Sequence, residues 1–413
     1  VQDNGGTADG GVDLDQSANT MTINVTPVND APDGELDDED LLTQTVQYSD
    51  PITDVTITAT DVDSSGDSLT ATASGLPDGV SLNKTSDNGG GIPGEAHWTV
   101  SGSVTGAPGT YNVTVTVSDG DKSYDIDFTI VVTKEDATMA FDTNNPTAVK
   151  VASPGGTGAF TLQVNITQEA DGNLGDITKI GVNDVTITLS PVGTGPAPTP
   201  TSKQIEYPTS GTYSGQAVVT FTFSGVLVNT YDVTVSLANT NLYYRADNIE
   251  TVLTVYDPSL GFTTGGGWFY WPGTLDKTNF GYVMQYGKNG TNLKGSLLLI
   301  RHTASGIYRV KSNSLTAGSL VLGTDSTIPM GWASFSGKCN YTSILSGIAT
   351  TVGNIPFKVY VEDRNEPGTG VDRFWIQTTG YPLLSMSATA SANAVTLNGG
   401  NIVVPHTPAK PSK

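Results

Sequence analysis

Along this 413-residue chain, apolar and polar residues repeatedly alternate one for one, as in "YNVTVTVS" (111–118) and "ETVLTVY" (250–256). Side chains of a strand point alternately to its two faces, so this period of two places Val113 and Val115, or Leu253 and Val255, on one side of a sheet. No window of a dozen residues carries the 3.6-residue apolar stripe of a helix that packs on one face, and Gly, Thr, Val, Asn, Asp and Ser dominate the composition. The chain is therefore expected to be all-β. At roughly 100–200 residues per domain its length predicts two to four domains.

Three stretches combine such a strand with an acidic turn: "TMTINVTPVNDAP" (20–32), "DFTIVVTKEDA" (127–137) and "ETVLTVYDPSLG" (250–261). They read as three domain endings spaced a little over a hundred residues apart, the span of an immunoglobulin-like sandwich. A second match, Tyr-x-Val-Thr-Val, recurs at Tyr111 and Tyr231, one strand before the ending in each unit. Each tyrosine is expected at a corner where its hydroxyl ties a loop to the sheet. The predicted organisation is a terminal piece of a repeat at 1–30, sandwiches at 31–136 and 137–257, an aromatic-rich β domain at 258–404, and a flexible tail at 405–413.

The net charge of −22 is unevenly spread. Residues 1–136 hold 25 acidic against 3 basic side chains (−22), residues 137–257 hold 10 against 4 (−6), and residues 258–413 hold 6 against 12 (+6). The acidic part argues against nucleic acid, whose phosphates it repels, and towards divalent cations or a basic partner. The opposite charges of the two ends favour head-to-tail self-association, and a heterologous contact that does not close produces fibres. No apolar run approaches the eighteen or so residues of a membrane-spanning helix, and the single Cys339 excludes an intrachain disulfide framework. An extracellular chain without disulfides depends on core burial or bound ions, a combination that suits a bacterial cell surface.

"SGLPDGVSLN" (74–83), "GIPGEAHWTVSGSVTGAPGTYNVTVTVSDG" (91–120) and the linker "TPVNDAP" (26–32) resemble the cadherin-like and immunoglobulin-like repeats of large bacterial adhesins. The resemblance covers residues 1 to about 136 well and residues 137–257 by strand pattern alone. It implies a structural or adhesive protein stiffened by calcium. In "DVDSSGD", Asp61, Asp63, Ser65 and Asp67 occupy positions 1, 3, 5 and 7 with Gly66 at 6, the first half of an EF-hand loop; Thr72 stands where the bidentate glutamate is required. The stretch is better read as the Asp-x-Asp calcium ligands of the cadherin-like resemblance. Asn29 and Asp30 of the linker, with Asp119 and Asp121 of "SDGDKS", are the expected partners from other loops, against the alternative of a solvated acidic surface.

From residue 262 aromatic residues become denser, and the order of segments predicts eight or nine strands in a sandwich or jelly roll. Gly266-Gly267-Trp268, Asn279-Phe280-Gly281 and Asp372-Arg373-Phe374 resemble a terminal β module that follows repeat arrays in secreted bacterial proteins, one that implies no catalytic residues. "GYVMQYGKNG" (281–290) misses the phosphate-loop spacing by one residue and places Asn289 after Lys288 where a hydroxyl is needed. His97, His302 and His406 are widely separated, and the acids of "EDRNEPGTGVD" (362–372) read as a turn with Arg364 or Arg373 paired to one of them. No enzyme is expected. In the run Trp268, Phe269, Tyr270 and Trp271, alternate residues share a face, so one pair fills the core. The other pair either anchors the neighbouring domain or stacks on a ligand, with a host protein or a glycan as the alternative partner.

Overall fold

The computed structural model describes residues 7–10, 20–26, 28–257, 262–286, 292–387 and 389–405. Contacts divide them into two units, one of residues 1–45, 52–103 and 110–131, the other of residues 46–51, 104–109 and 132–413.

The first unit is built from β1 (Asp33–Leu36), β2 (Thr43–Gln47), β3 (Val55–Asp61), β4 (Thr70–Ser74), β5 (Val80–Asp87), β6 (Gly94–Gly102), β7 (Gly109–Ser118) and β8 (Ser123–Thr133). They form two four-stranded sheets, β1-β3-β6-β5 and β2-β8-β7-β4. The alternation is realised as burial: Val55, Ile57 and Ala59 of β3, and Val113, Val115 and Val117 of β7, are at most 1% exposed, and their neighbours are not buried. The sheets meet so closely at β1 that a side chain on Gly34 would lie 2.8 Å from the Ile126 Cδ1 of β8. Residues 20–26, expected as a strand, form no ladder; Met21, Ile23 and Val25 are exposed, since a strand without a paired neighbour has nothing to satisfy its backbone.

The second unit begins with another sandwich: β9 (Glu135–Phe141), β10 (Ala148–Lys150), β11 (Gly158–Gln168), β12 (Val185–Pro191), β13 (Ser202–Glu206), β14 (Ala217–Val226), β15 (Asn229–Leu237), β16 (Tyr244–Arg245) and β17 (Ile249–Tyr256). Its sheets run β13-β14-β11-β9-β16 and β10-β17-β15-β12. The acidic pair expected to close the first sandwich opens β9 instead, so this sandwich starts at Glu135. Tyr231 makes the expected corner contact, donating its hydroxyl to the Leu227 carbonyl at 2.8 Å.

The sandwich or jelly roll expected of 258–404 takes the form of one wrapped meander. Its strands are β18 (Phe262–Tyr270), β19 (Lys277–Tyr286), β20 (Leu293–Thr303), β21 (Gly306–Leu315), β22 (Val321–Asp325), β23 (Ile328–Leu345), β24 (Ile348–Asp363), β25 (Arg373–Thr378), β26 (Val395–Thr396) and β27 (Gly399–Val403). They make one sheet, β26-β25-β24-β23-β21-β20-β19-β18-β27, with β22 on the side of β23. Successive strands pair as hairpins, without the crossings of a jelly roll. The edge strands β26 and β27 are neighbours in sequence, so the sheet curls around its core of Phe269, Phe280, Tyr282, Phe335 and Phe374. On its outer face Leu298 and Ile300 pack with Val252 of β17.

Two glycines of the outer face allow the sandwich to come that close. A β-carbon on Gly266 would lie 2.3 Å from the Thr147 carbonyl oxygen, and one on Gly281 would lie 2.5 Å from Val252 Cγ1. Thr147 and Thr254 of the sandwich donate their hydroxyls to the Gly266 and Gly265 carbonyls at 3.0 and 3.3 Å. Arg309 adds ion pairs to Asp232 and Glu250.

Candidate functional site

Three loops of the first unit bring together most of the acidic residues singled out in the sequence. Asp61 ends β3 and is 2% exposed, Asp63 follows it, Asp119 lies in the β7–β8 turn, and Asn29 and Asp30 precede β1. The Asp61 Oδ1 accepts the backbone amides of Asp63 and Ser64 at 3.0 and 2.9 Å. Asp63 accepts the Asp30 amide at 3.1 Å, and the Asn29 side chain donates to Asp119 at 2.8 Å. Lys122 donates its ammonium to the Asn29 carbonyl, which puts a positive charge beside the carboxylates.

Two oxygens in this cluster have no partner: Asp61 Oδ2 and Asp63 Oδ1 are buried without a hydrogen bond. The two carboxyls lie against each other, and contact with Asp61 raises the Asp63 pKa. At Asp61 burial works in the same direction, but the Asp63 and Ser64 amides outweigh it and hold the group below its ordinary value. Adjacent carboxylates repel unless a proton or a cation lies between them. Every free ligand atom here is an oxygen, the donor type that calcium takes in sets of six to eight. The residues fit a hard cation in their chemistry. Among the described residues no three His, Cys, Asp or Glu side chains are already arranged as a metal site; a cation here must draw on backbone and amide oxygens as well.

Asp67 and Asp121 are not drawn in. Asp67 is exposed and accepts the Ser65 hydroxyl at 2.5 Å within its own turn, and Gly66 packs beneath Asn88 and Glu95 rather than bending a cation loop. Asp121 is exposed and approaches the cluster only through its backbone amide, which donates to Asp119 at 2.7 Å. The 1-3-5-7 spacing thus describes a local turn, and contacts across loops select the residues that meet.

The aromatic run divides as alternation requires. Phe269 and Trp271 are 0% and 6% exposed in the core of the meander. Trp268 and Tyr270 share the outer face, edge to face at 5.4 Å, with the Lys277 ammonium 4.9 Å above the Trp268 ring. The acids of 362–372 are engaged in the fold: Glu362 pairs with Arg364 at 2.6 Å, and Asp372 accepts the Arg364 and Ile402 amides. His97 lies between Thr58 and Glu95. Residues 287–291, which contain the Gly-Lys-Asn end of the rejected phosphate loop, and residues 406–413, which include His406 and most of the expected tail, lie outside the described residues.

One acid was not found from the sequence. Glu135 is 1% exposed and neither of its carboxylate oxygens has a partner. Burial, with Asp171, Asp50 and Asp136 nearby, pushes it up to about 7. Its acidic neighbourhood is assembled from residues 50, 135–136 and 169–171, and only the "KED" run hinted at it.

Residues 38–133 match a family model described as "Putative Ig domain", the stretch that folds here as the first sandwich. No curated protein matches the chain. An immunoglobulin-like repeat in a nearly all-β chain is compatible with a structural or adhesive surface protein, and among the described residues no helix is long and apolar enough to cross a membrane.

Proposed function

We propose that this chain is a structural, adhesive segment of a bacterial surface protein whose first immunoglobulin-like unit is rigidified by calcium. The observation that carries the reading is the meeting of Asn29, Asp30, Asp61, Asp63 and Asp119 around two buried, unpartnered carboxylate oxygens. Asp61 and Asp63 would hold the ion through their unpartnered oxygens, with Asp30 and Asp119 completing the charge around it. Calcium there neutralises the Asp61–Asp63 pair and joins the segment before β1 to the loops after β3 and β7. The ion would add to the hydrogen bonds that already tie Asn29 and Asp30 to these loops, fixing the segment against the sandwich as a load-bearing stalk requires.

Calorimetric titration of the chelator-treated protein tests this. Binding is expected, and Asp61→Asn with Asp63→Asn should abolish it. A wild-type protein that takes up no calcium at millimolar concentration contradicts the proposal. The reading extends to end-to-end contact between copies, supported by the opposite charges of residues 1–136 and 258–413 and by the exposed alternate residues Met21, Ile23 and Val25, which are suited to pair with a sheet edge.

A further inference from the structure

A cleft of about 370 Å³ lies where β18, β19 and β27 face the sandwich of the second unit, within the range of about 300–1,000 Å³ for small-molecule sites. Its wall is polar. Asp142, 9% exposed, is held by five donors: the Asn144 amide and side chain, Gln163, Asn165 and the Tyr213 hydroxyl. These donors outweigh its burial and keep it below the usual carboxylate range, so it is a fixed anion. Asn279 is different. It is 6% exposed, lines the cleft, and its side-chain amide has no hydrogen-bond partner among the described residues. Its amide opens into the cleft rather than being sealed, so both its oxygen and its NH2 are available to polar groups of a ligand there.

The remaining lining narrows the ligand. Trp268 supplies one apolar wall. Lys277, over the Trp268 ring, pairs with no carboxylate among the described residues. Asn398 lies at the rim and uses its side-chain oxygen on the Tyr270 amide, which leaves its NH2 to donate. Amides that donate and accept match adjacent hydroxyls, an aromatic wall matches the C–H face of a sugar ring, and a single ammonium matches a single acidic substituent. A polyphosphate fits poorly, because one lysine faces the fixed charge of Asp142.

We propose that this cleft binds an acidic saccharide, a pyranose carrying one carboxylate, with its hydroxyls on Asn279 and Asn398 and its carboxylate on Lys277. Of the aromatic run only Trp268 lines the cleft, since Phe269 and Trp271 are in the core. The site shares no residue with the calcium cluster and does not rest on that reading.

The test titrates the whole protein with galacturonic-acid oligomers and with galactose oligomers of the same length, with calcium and with EDTA. The acidic oligomers should bind under both conditions and bind more tightly than the neutral ones. Lys277→Gln, at an exposed position, should weaken them about tenfold, the loss of one charge-assisted hydrogen bond. Asn279→Ala should abolish binding, and Asn398→Ala should weaken it without touching the buried wall. The Asp61→Asn, Asp63→Asn variant should bind as wild type does. No binding of either oligomer at millimolar concentration, equal binding of both, or equal affinity in the Lys277 and Asn398 variants would overturn the proposal.

Discussion

Replacing Gly266 or Gly281 by alanine tests why a glycine-rich stretch opens the last domain. Neither residue needs a glycine backbone angle, so the substitution acts only through its added carbon. That carbon would lie 2.3 Å from the Thr147 oxygen in one variant and 2.5 and 2.6 Å from Val252 Cγ1 and Thr254 Oγ1 in the other. Side-chain carbons essentially never approach below 3.0 Å, so the meander and the sandwich must part by several tenths of an ångström. Overpacking of this kind costs about 1–3 kcal/mol. Weakening the hydroxyl bonds from Thr147 and Thr254 adds up to about 1 kcal/mol each, and the alanine returns about 0.4–1 kcal/mol by restricting the unfolded chain. A net loss of about 1–3 kcal/mol per variant is the expectation. Urea unfolding followed by tryptophan fluorescence reads it, because Trp268, Trp271, Trp332 and Trp375 all lie in the last domain. Gly90→Ala, where nothing lies within 4 Å, is the control. If both interface variants unfold at the wild-type urea concentration, the close approach is not what these glycines provide.

Glu135 should impose a pH dependence on stability. Its folded pKa of about 7 lies above its ordinary 4.5, so the folded state keeps a proton that the unfolded state releases. Its contribution is present below about pH 4.5 and declines as the pH rises to about 7, with a slope of at most about 1.4 kcal/mol per pH unit. Glu135→Gln should flatten that part of the profile in denaturant titrations run in EDTA from pH 4.5 to 8; an unchanged slope would show that the carboxylate is not held as described. For self-association, sedimentation velocity at low ionic strength should show species larger than one chain that dissociate as salt is added. A single species at all salt concentrations would remove end-to-end contact from the account.

Much of the fold was legible because alternation reports burial directly. Val113, Val115, Val233 and Val235 are all at most 1% exposed, as their spacing required, and Tyr231 ties its corner. Alternation could not say which face of the aromatic run is the inner one, because both faces carry rings; the approach of the sandwich to Gly266 decides it. The calcium cluster was partly legible. Asp61 and Asp63 stood out by spacing, but Asp67 shared that spacing and turns away, while Asp119 is selected by Asn29, 90 residues distant. Glu135 stood in an acidic run and Asn279 in the Asn-Phe-Gly motif, but neither context says that the side chain is buried, since a buried polar residue has the same one-letter context as an exposed one.

The most direct test of the central claim is the stability of the first unit with and without calcium, read by amide hydrogen exchange in β3 and β7. At calcium a hundred times its dissociation constant, a site formed only in the folded state adds about 2.7 kcal/mol. The account predicts that calcium slows exchange in those strands by that amount, that EDTA reverses it, and that the Asp61→Asn, Asp63→Asn variant exchanges alike in both conditions. Exchange in the wild-type protein that is the same in calcium and in EDTA would contradict it.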